Sequence, residues 1–164
     1  MTDGKGKAEA EALLRRKRTG KWYADGLNFR CQAPECSACC SGQRGEGYVW
    51  LNADEMEAIA KFKGIEFDTF TRKYIRQVEY AFSLIEKPNK DCVFLENGGC
   101  SIYEVRPTQC RTYPYWPSII RAPETWAKEA EQCPGIGDDT HVPGEEVETQ
   151  LELELEGRRR NGVE

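Results

Sequence analysis

Histidine occurs once in the 164 residues, at His141, in a Gly- and Asp-rich loop expected to face solvent. There is no Gly-rich cofactor loop, no His/carboxylate pair at a readable spacing and no nucleophile motif. Those gaps remove the usual signatures of nucleotide-dependent and nucleophilic enzymes. No apolar run approaches the about 18 residues needed to cross a bilayer, so no membrane role is expected. The N-terminus "MTDGKGKAEAEALLRRKRTG" lacks an apolar signal-peptide core, which places the chain in the cytoplasm by expectation. No internal repeat is present.

Charge is unevenly spread. Lys and Arg outnumber Asp and Glu seven to three over 1–24, fall behind thirteen to eighteen over 25–140, and three to seven over 141–164. An acidic body lacks the basic face that phosphate binding needs, so nucleic acid is not the expected partner. "LLRRKR" could be a small basic arm, or the solvated end of a helix. A protein partner is left open.

What the chain does have is cysteine, eight residues in all. Four lie in "CQAPECSACC" as Cys31, Cys36, Cys39 and Cys40, spaced C-x4-C-x2-C-C; Cys92, Cys100, Cys110 and Cys133 follow. In a reducing compartment an even cysteine count points to metal or redox chemistry before a disulfide framework. Thiolates are soft ligands suited to zinc, copper(I) and iron–sulfur clusters, and a single histidine offers little competition. Cys36 and Cys39 can reach one centre across a short loop. Adjacent Cys39 and Cys40 diverge in regular backbone, so one of them would bind a centre while the other reaches a second, bridges, or stays unligated.

The expected elements frame these thiols. "KAEAEALLRRKR" favours an exposed helix; "GLNFRC" and "GYVWL" read as strands around the cysteine loop. In "NADEMEAIAKFKG", Asn52 and Glu55 form a capping-box start, Met56, Ile59 and Ala60 share a face, and Gly64 ends the helix. A second helix from Asp68 would set Phe70, Tyr74 and Val78 in one inward stripe. "FSLIE" reads as a strand, and "CVFLENGGCSIY" as a hairpin turning at Asn97, Gly98 and Gly99.

A two-residue turn there pairs Leu95 with Cys100 and puts Cys100 opposite in face to Cys92; a three-residue turn puts both on one face. Even then a regular hairpin separates them by roughly 13 Å along the strand, too far for one tetrahedral metal. Either the hairpin bends or the two serve different sites.

Pro107 suits the start of a short helix ending before Pro114, with Cys110 in its first turn. Flanked by Arg106 and Arg111, Cys110 is expected to carry a stabilised thiolate, the alternative being a buried small hydrophobe. "YPYWP", residues 113–117, reads as core packing or an apolar wall beside a metal centre rather than as a base-stacking platform. The end, "VPGEEVETQLELELEGRRRNGVE", alternates Leu with Glu and reads as an edge strand or a disordered acidic tail, dispensable for metal.

The cluster at Cys31, Cys36, Cys39 and Cys40, with "GCSIYEVRPTQCRTYPYWP" and "CPGIG" downstream, resembles the YkgJ-type cysteine-cluster family, the zinc- or iron-chelating CxxCxxCC proteins. The likeness spans about residues 28–137. The chain has four residues between Cys31 and Cys36 where the family name gives two. The resemblance implies metal ligands drawn from Cys31, Cys36, Cys39, Cys40, Cys92, Cys100, Cys110 and Cys133. Flagellin lysine N-methylases also belong to that family, but no S-adenosylmethionine site is legible here.

The fold expected is α+β: one small metal-centred domain with short helices, a β-hairpin and irregular cysteine-bearing loops, over 28–140. Residues 1–27 would be an N-terminal helix or arm, and 141–164 the tail. The leading function is a metal centre held by thiolates, an iron–sulfur cluster or iron, with zinc as the close alternative. The other classes are a cluster-dependent enzyme, an oxidoreductase or protein methylase-like, and a structural zinc module for protein contact. The sequence does not decide whether the protein is an enzyme.

Overall fold

The computed structural model describes residues 6, 7, 9–11, 13, 14 and 19–163. Much of the expected N-terminal helix and its basic arm lies outside these residues. The described chain is α+β, with short helices and three separate two-stranded antiparallel sheets. It gathers into two compact units, one formed by the chain through Cys31 with Pro114–Leu151, the other by Gln32–Tyr113 with Glu152–Glu164. Among the described residues no helix is long and apolar enough to cross a membrane.

In the first unit, strand β1 (Leu27–Phe29) pairs with a later strand, Ile136–Val142. The register runs Leu27 to Val142 and Asn28 to His141, then jumps so that Phe29 meets Ile136. The jump is a bulge in which Gly137 takes φ 89° and Asp138 accepts the Thr140 N–H at 2.9 Å. His141 is therefore in a strand, not a loop, though exposed as expected. The core of this unit is aromatic. Tyr115 stacks on Trp126 at 6.0 Å and meets Phe29 edge-on at 5.7 Å, while the Trp22 indole N–H donates to the Ile120 carbonyl at 2.7 Å. For Tyr115 of "YPYWP", buried against these rings, the core-packing reading holds, as large aromatic area favours.

The second unit opens with helix α1 (Ala53–Lys63), whose start and stop are as expected. The Asn52 side chain accepts the Glu55 N–H, Glu55 accepts the Asn52 N–H, and Gly64 ends the helix at φ 67°. Helix α2 (Phe67–Tyr74) is shorter than the aromatic stripe suggested. The chain leaves it at Ile75 to pair strand β2 (Ile75–Val78) with β3 (Ala81–Leu84), so Val78 is on a strand. The β-branched Ile75 and Val78 fit that pleated pair better than a helix.

The segment "GYVWL" forms only a single bridge, Trp50 to Ser83, because the Ser83 hydroxyl takes the Val49 N–H at 3.0 Å in place of a backbone carbonyl. Leu51, Met56, Ile59, Ala60, Phe70, Leu84, Phe94 and Ile102 make the core. Phe94 stacks parallel to Phe70 at 6.4 Å and lies 4.9 Å from Tyr74. Burying it contributes about 1.5–3 kcal/mol and ties the segment between Cys92 and Cys100 to the core.

After it come β4 (Leu95–Glu96), β5 (Gly99–Cys100) and helix α3 (Thr108–Thr112). The first unit then continues through α4 (Pro117–Ile120), α5 (Pro123–Ala130) and the pairing strand Ile136–Val142, here β6. The last element corrects the expected tail. Residues Gly144–Asn161 form helix α6, neither strand nor disordered chain. Val147 and Leu151 belong to the first unit, Glu154, Gly157 and Asn161 to the second, and their spacing near 3.5 residues marks one helical face. The alternation misleads because that face holds Glu154, Gly157 and Asn161 beside Val147 and Leu151, while Leu153 and Leu155 point outward at 49% and 39% exposure.

Candidate metal centre

The cysteine loop of the second unit is a series of tight turns. The Cys36 N–H donates to the Gln32 carbonyl at 3.1 Å and the Cys40 N–H to the Ser37 carbonyl at 2.9 Å. The turn ends at Gly42, where a Cβ would come within 2.2 Å of the Asn89 carbonyl oxygen, so only glycine lets this loop lie against residues 89–92. Two bonds fasten the approach: the Cys92 N–H donates to the Cys40 carbonyl at 2.8 Å, and the Gly42 N–H to Asp91 Oδ1 at 2.7 Å. The Gly42 N–H, followed by the Asn89 amide, holds the Asp91 carboxyl below its ordinary range. Cys40 and Cys92, far apart in sequence, are thereby neighbours.

Cys100 arrives on the hairpin. Asn97 and Gly98 take φ 51° and 79°, a two-residue turn with both centres left-handed, and Leu95 pairs with Cys100. The two-residue alternative is the one adopted. Cys92 escapes the long regular ladder because the strands are only two residues each and the chain turns between Cys92 and Leu95, whose N–H donates to the Cys92 carbonyl at 2.9 Å. Burial pushes both of these thiols up, and the backbone N–H groups two residues onward, Phe94 for Cys92 and Ile102 for Cys100, oppose it by favouring the thiolate.

Cys110 sits in the middle of α3, with its N–H donating to the Pro107 carbonyl at 2.9 Å; Pro107 stands at the cap, one position before the expected start. Its expected stabilised thiolate is not found. Burial pushes the Cys110 thiol well up, the charges of Cys92, Cys39 and Cys100 add to this, and Arg106 opposes only weakly. The low thiol is instead Cys39, exposed and 3.8 Å from Cys40 Sγ. Its pKa falls to about 6, first through its hydrogen-bonding contact with the Cys40 thiol, then because Arg44 and Arg106 lie near. Cys40 is correspondingly held protonated by the same bond, by burial and by the charges of Cys39, Cys92 and Cys110.

Five thiols, Cys39, Cys40, Cys92, Cys100 and Cys110, thus feel one another's charge. They come from four separate stretches of chain. Cys36 lies on the same loop and is half-buried. Cys31 and Cys133 belong to the first unit, near one end of the β1 and β6 ladder, where the Arg30 N–H donates to the Gly135 carbonyl at 3.1 Å; Cys31 is exposed and Cys133 buried. None of the eight forms a disulfide.

The donor chemistry fits a thiophilic cation. Without one, burial and mutual repulsion allow this group little charge beyond Cys39, whereas a bound cation reverses both effects and deprotonates its thiols. The group is gathered but not closed: among the described residues, no three Cys, His, Asp or Glu side chains form a ligating set. Sequence reasoning missed Arg44, which sits in the glycine-rich stretch after the cysteines and donates to the Tyr113 hydroxyl at 2.8 Å. The "YPYWP" stretch therefore also supplies a polar contact beside the centre.

Comparison with known proteins agrees with this chemistry. The model of the CxxCxxCC family, described as "Putative zinc- or iron-chelating domain", matches residues 30–134. The uncharacterized protein MJ0661 of Methanocaldococcus jannaschii is 27% identical over 95 residues, covering 57% of this chain and 48% of that protein. The chain spans about half the length of that relative. No solved structure matches it.

Proposed function

The chain belongs to the CxxCxxCC family of zinc- or iron-chelating domains, and from that premise we propose that it holds iron, as an iron–sulfur cluster or an ion, through the thiolates of Cys39, Cys40, Cys92, Cys100 and Cys110. The observation that carries this reading is the convergence of thiols from four separate stretches with no histidine among them. Four thiolates complete a tetrahedral centre. A fifth, with Cys36 on the same loop, allows one ligand to exchange. Cys31 and Cys133 belong to the first unit and are not part of the proposed set.

When bound, iron would supply positive charge and electron-transfer capacity at the thiol group. The chain's own residues prepare for it. Arg44 and Arg106 offset the excess negative charge of several thiolates, and the Phe94 and Ile102 N–H groups favour the thiolates of Cys92 and Cys100 against the burial that raises them. Zinc is the second reading, since the same all-thiol group, with its nearby backbone N–H groups, serves a structural tetrathiolate equally well. Iron, zinc and acid-labile sulfide measured on protein purified without air separate the cases. Iron with sulfide means a cluster, iron alone an ion, and zinc alone the structural module. Protein that is folded, fully reduced and takes up neither metal would refute the proposal.

A further inference from the structure

Helix α6 turns a glutamate inward and two leucines outward, which costs free energy unless the buried carboxylate has a specific task. Glu154 is 2% exposed. Its Oε2 lies 2.6 Å from the Thr112 hydroxyl, itself 1% exposed, and its Oε1 accepts from Arg158 Nε at 2.8 Å. That hydroxyl has one proton and also lies near the Thr108 and Gln109 carbonyls, at 2.9 and 3.3 Å. The carboxylate is the closest and the only charged acceptor, so it takes the proton. One turn further along α6, a Cβ at Gly157 would lie 3.1 Å from Thr108 Cγ2, so glycine permits the close approach to α3.

The other end of α3 is held in the same way. Glu55 Oε1 accepts both the Thr108 N–H and the Thr108 hydroxyl at 2.7 Å, while its Oε2 accepts the Asn52 N–H at 3.1 Å. Between them, Gln109 accepts the Trp50 N–H at 2.9 Å and donates to the Tyr48 carbonyl at 2.8 Å. A five-residue helix has little stability of its own, so these contacts fix where it lies. The residue between the clamped ends is Cys110.

We propose that Glu154 and Glu55 are positioning residues for the metal centre, holding α3 at its two ends so that Cys110 faces the other thiols, and that the second half of α6 is therefore part of the metal-binding apparatus. This rests on Cys110 being a ligand. It reverses the expectation that the C-terminal segment is dispensable. By linkage, a metal that grips Cys110 tightens the docking of residues 152–161 to the same degree.

The test compares Glu154→Ala, Glu154→Gln and Thr112→Val in the full chain. Two readouts are taken: alkylation of Cys110 relative to Cys100 in metal-free protein, mapped by mass spectrometry, and zinc affinity by competition with a chromophoric chelator. Glu154→Ala should speed Cys110 labelling and weaken zinc binding about tenfold, as loss of an outer partner does at metal sites. Glu154→Gln, whose amide can still bond Thr112, should restore most of both. Should Glu154→Ala fail to fold, Thr112→Val, which removes one hydroxyl at constant shape, gives the same shifts at smaller size.

Unchanged Cys110 labelling and zinc affinity in a folded Glu154→Ala or Thr112→Val protein would overturn the inference while leaving metal binding intact. Faster Cys110 labelling in a protein whose wild type binds neither zinc nor iron would retain the positioning role and refute the metal reading.

Discussion

The two units of this chain reach a stable core with different materials. In the unit closed by β1 and β6, Trp22, Tyr23, Phe29, Tyr115 and Trp126 meet ring to ring, and only Cys31 and Cys133 are thiols. In the other, Cys100 sits on a two-residue strand and Cys110 on a five-residue helix. Elements that short do not persist by their own hydrogen bonds. The contrast separates a unit built around packed rings from one that has an apolar core of its own and whose thiol-bearing side, on the proposed reading, a bound metal would complete.

The strongest attack on that contrast is Cys39→Ser with Cys110→Ser. The double variant should purify without metal. Amide exchange at Phe94 and Ile102 should rise to the level of chelator-treated wild type, while Trp126 and Val147 stay protected. Full metal occupancy in that variant would remove the distinction between the units.

A matched pair of core truncations sharpens it. Phe94→Ala and Trp126→Ala should each cost about 3–5 kcal/mol in chemical denaturation. Only Phe94→Ala should also lower the metal content, because Phe94 ties the Cys92 to Cys100 segment to the core. Equal metal content in the two variants would show that the core does not shape the site.

The smallest effect is a titration in metal-free protein. The Cys39 pKa of about 6 lies below the ordinary thiol value, so the stability it contributes is present above that ordinary value and lost as pH falls through about 6. Cys40 runs the other way, its contribution being lost as pH rises above the ordinary value. Far-ultraviolet thiolate absorbance should therefore appear as pH rises through about 6, vanish in Cys39→Ser, and shift to higher pH in Arg44→Ala.

Much of this was legible in residue order where local rules decide the structure. The α1 capping box, its Gly64 stop, the Asn97 and Gly98 turn and the short helix after Pro107 each follow from chemistry within a few residues. What failed depended on which partner a residue meets, near or far. Val78 joins a strand because Ala81 pairs with it, and Glu154 is buried because Thr112 is there to meet it. The thiolate was expected at Cys110 from its neighbours Arg106 and Arg111, whereas burial overrides those charges and Cys40 lowers Cys39 instead. The family pattern pointed to eight cysteines without ranking them. Their division into a group of five, its neighbour Cys36, and the pair in the other unit is a matter of three-dimensional packing.

The most direct test of the account is per-cysteine alkylation of the native protein, purified without air, before and after metal removal by a chelator. The account predicts that Cys39, Cys40, Cys92, Cys100 and Cys110 are protected together by bound metal and become reactive together when it is removed, while exposed Cys31 reacts in both states. Metal removal that leaves those five unchanged, or that exposes Cys31 alone, would contradict it.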